Sequence, residues 1–446
     1  MKKGFPALAA LLLLLLPLCV FAENDFYTEM PYYLRIKQRR VEEKPYEKVY
    51  LMRTYPESTN GEVDREISEL VDKMAEEDRD LLPNRKMEDT VELDVGASVF
   101  RTGTKWMSFV VLSQFQQDYT VTHTRYENRV YDMESGKRLF LTDVFALDSE
   151  GWTILAEEAR TQLNAYFPSV TASQDRLEAL ITREKLEQAD FALGAASLRL
   201  IWKADELYEG RETLMYVQIP YSRLREYMTP EAQEQTDNHR FRMVALTYDD
   251  GGAGLYTKRL TYALRENACQ ATFFVVGNRY MNNRYNHIRQ HNMGNSVQSH
   301  NWEHEYYDSA DAGKVFPMKQ KMEEMLGELI GLPPVLMRAP GGHTTVFVNE
   351  KVGYPLIQWS LISGDADSND RPDEEKVARV VSTSIRNGDI VLMHDLRPNV
   401  YLYSNTIMEN MNKQGILCVT VEEMFMNAGV TLEKNRIYTC LDTAKR

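Results

Sequence analysis

A chain of 446 residues, 43% hydrophobic and 26% charged, can bury ordinary globular cores and is longer than most single domains, so two domains are expected. The net charge of -14 argues against a nucleic-acid partner, which needs a basic face to displace counterions from phosphates. Four cysteines are too few for a disulfide framework, so the fold must rest on packed cores.

The chain opens with Met1-Lys2-Lys3, an apolar run over residues 5–18 broken late by Pro17, and Val20-Phe21-Ala22 ahead of Glu23. That order is the pattern of a secretory signal peptide over 1–22. Left uncleaved, residues 5–22 approach the length of a short membrane anchor. Cys19 follows Leu18 rather than a small residue, which argues against lipidation. Cleavage would leave Cys269, Cys418 and Cys440, an odd number whose pairing the sequence does not fix.

From residue 23 to about 234 short alternating strands, such as 106–112 and 126–131, mix with helical stretches at 62–79, 150–165 and 175–190. This predicts an α+β domain. The turn signal Met133-Glu-Ser-Gly-Lys137 joins the 126–131 strand to Leu139-Phe-Leu141 as a hairpin. The polar stretch from Thr229 to His239 is the expected linker.

Beyond it strands and helices alternate. Strands are predicted near 243–247, 271–276, 295–298, 335–338, 355–361, 389–393 and 416–420, with helices near 257–266, 284–291, 315–330, 373–386, 404–414 and 421–427. Seven strands separated by helices favour an α/β fold, a parallel β/α barrel, over an open sheet. Thr420-Val-Glu-Glu423 has capping-box spacing for the last helix.

The chemistry-bearing residues fall at the ends of these strands. Asp249 and Asp250 follow the first, His300 and His304 the third, Arg338 ends the fourth, Asp365 follows the fifth and His394 the sixth. Barrel strands converge with their C-terminal ends on one face, so this scatter in sequence can become one site in space. His300 and His304, four apart, would share one face of a helical turn at metal-ligand separation, with one carboxylate completing the set. Two adjacent carboxylates resist joint ionisation unless a cation takes one, so Asp250 is assigned to a metal and Asp249 to proton transfer. His287 and His291 repeat the spacing on a predicted helix away from the strand ends and are expected to be solvated.

Leu246-Thr-Tyr-Asp-Asp-Gly251, Ala271-Thr-Phe-Phe-Val-Val-Gly277, Gly294-Asn-Ser-Val-Gln-Ser-His300, His300 to His304, Arg338-Ala-Pro-Gly341 and Leu392-Met-His394 resemble, in order and spacing, the motifs of polysaccharide deacetylases, the NodB-homology domains of carbohydrate esterase family 4. The resemblance covers residues 241–427, leaving 428–446 as a tail. It implies a distorted β/α barrel that holds one divalent metal, zinc before cobalt, nickel or manganese, through Asp250, His300 and His304. It further implies Asp249 as base, the backbone N–H of Gly341 as oxyanion donor, His394 as the acid toward the leaving amine, Arg338 holding Asp249, and Asp365 tuning His394. The implied partner is an N-acetylated glycan, peptidoglycan first, and the implied setting is extracytoplasmic, secreted or envelope-associated.

Several positions depart from the pattern. Gly252 stands where the family has proline, Asn301 where it has Ser or Thr, and Gly341 where it commonly has an aromatic, which predicts a more open groove on that side; His343 is a candidate for its rim, with a structural or solvent-exposed role the favoured expectation. In Trp359-Ser-Leu-Ile-Ser-Gly-Asp-Ala366, Ile362 replaces an Asp and Ala366 a Trp, which puts the seating of the sugar and the packing of His394 in question. The expected activity is therefore N-deacetylation of GlcNAc or MurNAc units, with an O-acetyl esterase or a catalytically impaired glycan binder as alternatives. Tyr126-Glu-Asn-Arg-Val-Tyr-Asp-Met-Glu-Ser-Gly-Lys137, Leu141 to Phe145 and Ile219-Pro-Tyr-Ser222 are similar to an α+β accessory domain that often precedes deacetylase domains in bacterial envelope proteins, read as a wall-binding or spacer module or as purely structural.

Overall fold

The structure, a computed structural model, describes residues 26–146, 149–251, 254–279, 283–306, 312–344, 350, 352–367 and 371–444. The expected signal segment and Gly252 lie outside these residues. Among the described residues no helix is long and apolar enough to cross a membrane.

The N-terminal half is built on a six-stranded sheet whose strands lie in chain order: Ile36–Tyr46, Val49–Ser58, Val91–Thr102, Trp106–Gln117, Thr120–Asp132 and Arg138–Leu139. Neighbours are antiparallel except the second and third strands, which are parallel. A parallel pair needs a crossover, and the helix Gly61–Glu77 supplies it. Asn60 caps that helix by accepting from the backbone N–H groups of Glu62 and Val63, and Val63, Ile67, Leu70, Val71 and Met74 bury one face of it. A second, three-stranded antiparallel sheet, Asp190–Leu193, Ser197–Lys203 and Leu214–Pro220, packs beside the helix Gly151–Ala165.

Local chemistry corrects three expectations here. The helix predicted over 175–190 is two helices, Gln174–Leu180 and Arg183–Glu187, because Thr182 caps the second by accepting from the Lys185 N–H. The hairpin forms, but Leu141 begins the short helix Leu141–Val144 instead of extending the strand. The predicted linker contains a helix, Pro230–Gln235, capped by Thr229, and its side chains are docked. Gln235 Oε1 accepts from the backbone N–H groups of Thr104 and Lys105, and Asn238 Oδ1 from that of Gly103.

The C-terminal half is the barrel. Arg242–Asp250 pairs in parallel with Thr272–Val275 on one side and Ile390–His394 on the other, while Ile416–Cys418 pairs with its first residues. Thr272–Val275 pairs with Ser296–Ser299, and parallel bridges carry the order on through Met337 to Leu356. Leu356–Ile357 and Leu361–Ile362 belong to one stretch of chain, whose second piece pairs with Ile390–His394 and returns the circuit to the first strand. Six of the seven predicted strands form, and the one predicted near 335–338 is reduced to the single bridging residue Met337. The helices Leu255–Glu266, Arg284–Asn292, Ala312–Leu329, Glu374–Ser384, Val400–Lys413 and Val421–Asn427 stand within a few residues of their predicted positions. The last is capped by only half of a capping box. Thr420 Oγ1 accepts from the Glu423 N–H, but the Glu423 carboxylate pairs with buried Arg199 at 2.9 Å instead of turning back.

The two halves share one apolar cluster that joins Val63, Ile67, Leu93 and Phe109 to Met243, Ala245, Phe274 and Val419. They also share a buried polar seam. The strand Val91–Thr102 is buried along its whole length, and its Glu92 and Asp94 meet the barrel helices. Arg265 donates to both Asp94 oxygens at 2.9 and 2.8 Å and to Thr54 Oγ1 at 2.7 Å. Glu92 receives Lys258 at 2.7 Å, Arg289 at 2.9 Å and the Tyr262 hydroxyl. Gly96 leaves the space this requires, since a Cβ there would lie 2.7 Å from Thr54 Cβ and 3.0 Å from Arg265 Cζ.

This docking also corrects the expectation for His287 and His291, which are buried. Their helix is covered by the N-terminal half, where His291 Nε2 lies 2.8 Å from the Leu214 carbonyl oxygen and its ring meets the edge of Tyr216. Burial pushes both imidazoles down to about 4, so they stay neutral in the core.

Candidate metal centre and active site

The first barrel strand ends in a forced turn. Asp250 has φ 84° and Gly251 φ 67°, a left-handed step that a non-glycine residue adopts only when its surroundings hold it. They do: the Gly251 N–H donates to Asp395 Oδ1 at 2.8 Å, Thr257 Oγ1 donates to Asp395 Oδ2 at 2.9 Å, and the Asp250 carbonyl accepts from Val276. The turn presents Asp249 and Asp250 side by side.

The third strand delivers the histidines by a loop, not by the helical turn the spacing suggested. Asn301 has φ 70° and no helix follows it, so the chain doubles back and sets the His300 and His304 rings 5.2 Å apart. Asn suits this step because it tolerates the left-handed region and its Oδ1 accepts from the Trp302 N–H at 2.8 Å. One atom each from Asp250, His300 and His304 lies within 4.8 Å of the others. His304 Nε2 is 3.4 Å from Asp250 Oδ1. His300 Nδ1 donates to the Arg338 carbonyl at 2.9 Å, which leaves Nε2 as the free lone pair facing the carboxylates. Burial holds the His300 imidazole below its ordinary value, against the pull of Asp249 and Asp250, and a neutral ring is what ligation requires. Two imidazoles and a carboxylate, with His304 one-third exposed to solvent, make a donor set that fits a divalent ion with an open side.

Opposite this cluster lies a pair of candidate proton-transfer groups. Asp249 and His394 are register partners on adjacent parallel strands. Arg338 is fully buried and donates to Asp249 Oδ1 at 2.7 Å, to the Ile357 carbonyl at 2.9 Å and to the Gln358 carbonyl at 3.2 Å, with its guanidinium 4.3 Å from the Phe274 ring centroid. Each of the three guanidinium nitrogens is used, so Asp249 is oriented by a cation held in place. Asp249 Oδ2 stays on the metal side, 3.7 Å from His300 Nε2.

Asp365 accepts from His394 Nδ1 at 2.9 Å, from the His394 backbone N–H at 2.7 Å and from the Tyr403 hydroxyl at 3.1 Å. Burial disfavours the charged ring, but the Asp365 hydrogen bond and the charges of Asp365, Asp249 and Asp250 outweigh it and raise His394 above its ordinary value. The charged ring is therefore held to higher pH than a free imidazole would hold it, and is lost as pH rises through the raised value. If His394 acts as an acid, Asp365→Asn is expected to move the alkaline limb of a pH–rate profile to lower pH. An unmoved limb would contradict that role. Ile362 and Ala366 are both exposed beside this pair, and the three bonds to Asp365 are made without an indole at 366.

Gly341 (φ 61°) sits in the short 3-10 turn Pro340–Gly342. The N–H groups of Gly342 and His343 donate to the Ala339 and Pro340 carbonyls, whereas that of Gly341 has no acceptor among the described residues. The expected opening beside Gly341 is filled. A Cβ there would lie 2.8 Å from Tyr306, whose ring stacks on His343 at a centroid distance of 4.6 Å. An aromatic is present at this rim, supplied by the loop after the histidines instead of by position 341.

Sequence reasoning missed four residues at this site: Tyr306, Tyr403, Asp395 and Arg279, whose Nη1 lies 3.4 Å from Asp250 Oδ1. Asp395 follows His394 directly, and Arg279 follows the second barrel strand. The strand-end rule that found the others could have found both.

Comparison with known proteins bears on this geometry. Residues 236–356 match the family model described as polysaccharide deacetylase. A peptidoglycan-N-acetylglucosamine deacetylase of Bacillus cereus is 30% identical over 194 residues, which cover 41% of this chain and 88% of that protein. The chain belongs to the polysaccharide deacetylase family. The peptidoglycan-N-acetylglucosamine deacetylase PgdA of Listeria monocytogenes is 26% identical over 308 residues, 67% of this chain and 64% of the relative, so the match spans just under two thirds of that longer protein. Among solved structures, a deacetylase described as T48 deacetylase with substrate aligns at TM-score 0.42 and 28% identity, over 44% of this chain and 96% of its own.

Proposed function

We propose that this chain is a metal-dependent N-deacetylase acting on GlcNAc or MurNAc units of peptidoglycan or a related envelope glycan, outside the cytoplasm. The observation that carries the reading is the placement of the Asp250, His300 and His304 donor set against the register pair Asp249 and His394. Family membership and the named activity of the relatives point to the same chemistry.

Asp250, His300 and His304 would hold the ion, zinc first. When bound, a divalent ion supplies Lewis-acid polarisation of the acetyl carbonyl and makes water a stronger acid. Asp249 accepts the proton of the attacking water at Oδ2, and Arg338 keeps its carboxylate aimed. The Gly341 N–H, with no acceptor among the described residues, donates to the oxygen that gains charge as the carbonyl carbon becomes tetrahedral. His394 gives its proton to the leaving amine, and Asp365 supports the imidazolium before transfer. The Tyr306 and His343 rings offer an exposed stacked surface at the rim on which a sugar face can lie.

The competing assignment, O-acetyl esterase, is separated by substrate. The enzyme is expected to release acetate from N-acetylglucosamine oligomers or peptidoglycan with a higher kcat/KM than from acetylated xylan. A preference for xylan would assign it to esters, and glycan binding without acetate release from either would assign it to the impaired class.

A further inference from the structure

Away from the barrel mouth, a cavity of about 410 Å3 lies where the N-terminal strands meet the barrel helix Val400–Lys413. Arg101, from the fully buried strand Val91–Thr102, reaches its wall and is only 5% exposed. Its Nη2 donates to the Ala268 carbonyl at 3.1 Å and to Asn412 Oδ1 at 3.0 Å, whereas Nη1 has no partner among the described residues. No carboxylate pairs with Arg101 among the described residues. Burial works against its charge, which is supported by the two oxygen acceptors of Nη2 and by no carboxylate among those residues.

The acids that line the same cavity are already engaged. Glu29 holds Arg35 at 3.0 Å, Glu409 holds Lys37 at 2.8 Å, and Glu57 holds Arg39 at 3.2 Å. Lys413 adds a further cation to the lining. A second orphan sits there too, since Thr59 Oγ1 is buried without a partner among the described residues. A buried guanidinium without a counter-ion is costly, and every other buried cation described above meets a carboxylate. Met30 and Ile36 add apolar wall beside the polar groups.

We propose that this cavity binds the carboxylate of a small ligand with a short apolar body, held by Arg101 Nη1 and the Thr59 hydroxyl. One guanidinium nitrogen and one hydroxyl match the two oxygens of a carboxylate. The ligand would bridge the N-terminal half and the barrel, because Arg101 is anchored on Ala268 and Asn412 of the latter. This site is independent of the deacetylase reading and does not share its residues.

Titration calorimetry and thermal melting of the full chain test the proposal, with N-acetylalanine as the carboxylate, its uncharged amide as control and inorganic phosphate as the competing anion. N-acetylalanine is expected to bind and raise the melting temperature, and the amide to bind about tenfold more weakly or not at all. Thr59→Val should weaken carboxylate binding several-fold in a folded protein. Arg101→Met, which removes an uncompensated buried charge, should melt no lower than the parent and lose the ligand-induced shift. Equal binding of carboxylate and amide, unchanged binding by both variants, tighter binding of phosphate, or no binding of any probe would each overturn the assignment.

Discussion

Asp249→Asn is expected to lower the rate of acetate release at saturating substrate by about 10²–10⁴-fold, the usual contribution of a positioned general base. The substitution keeps the shape of the side chain and one oxygen for Arg338, so the turn held by Asp395 and the Asp250, His300 and His304 cluster should survive. Metal content after dialysis should therefore match the wild type while turnover collapses. Asp250→Ala should lose both together, because it removes a ligand atom from the cluster. If Asp249→Asn retained wild-type turnover with its metal in place, Asp249 would not be the base, and the 2.7 Å bond from Arg338 would be an ordinary buried ion pair.

Asp94→Ala is expected to destabilise the whole chain by about 3–5 kcal/mol, because it strands a completely buried guanidinium. Arg265 would keep only Thr54 Oγ1 and the face of Tyr262, with Gly96 too close for the strand to shift inward. The same seam gives stability a pH dependence. Burial alone would raise the Glu92 carboxyl, but Lys258, Arg289 and the Tyr262 hydroxyl more than offset it and hold Glu92 well below the usual carboxylate range. A depressed folded-state value means the contribution is full above the unfolded value and is lost as pH falls toward the folded one. Chemical denaturation of both proteins at neutral and acid pH measures this. The parent should lose stability on acidification, and Asp94→Ala should be the weaker protein at neutral pH in a single transition. Two separate transitions in the parent would show that the seam does not couple the halves.

The barrel was readable because its parallel strands are short apolar runs set between amphipathic helices, and six of the seven appear close to their predicted places, the fourth shrinking to the bridge at Met337. The residues named at the strand ends come together for the same reason, since register aligns Asp249 with His394 and brings Ser299 beside Met337. Local backbone was less readable. Spacing of four suggested a helix for His300 and His304, whereas the left-handed Asn301 makes a loop that no periodicity reports.

The N-terminal strands Ile36–Tyr46, Val49–Ser58 and Val91–Thr102 were not legible because charged residues interrupt their apolar alternation. Glu92 and Asp94 are charged yet buried, and their partners Lys258, Arg265 and Arg289 lie more than 160 residues away. His287 and His291 misled in the same way. A polar helix read in isolation looks solvated, but half the chain folds over it. Tyr306 filled the space beside Gly341 from a different loop, a substitution visible only in three dimensions.

Acetate release from purified peptidoglycan and chitooligosaccharides, measured with the protein stripped of metal and then supplied with zinc or cobalt, tests the metal-dependent deacetylase assignment most directly. Activity should appear only on metal addition, persist in the wild type, and be lost or severely reduced in Asp250→Ala, Asp249→Asn and His394→Ala. Equal release by the wild type and these variants, or release unaffected by metal removal, would contradict it.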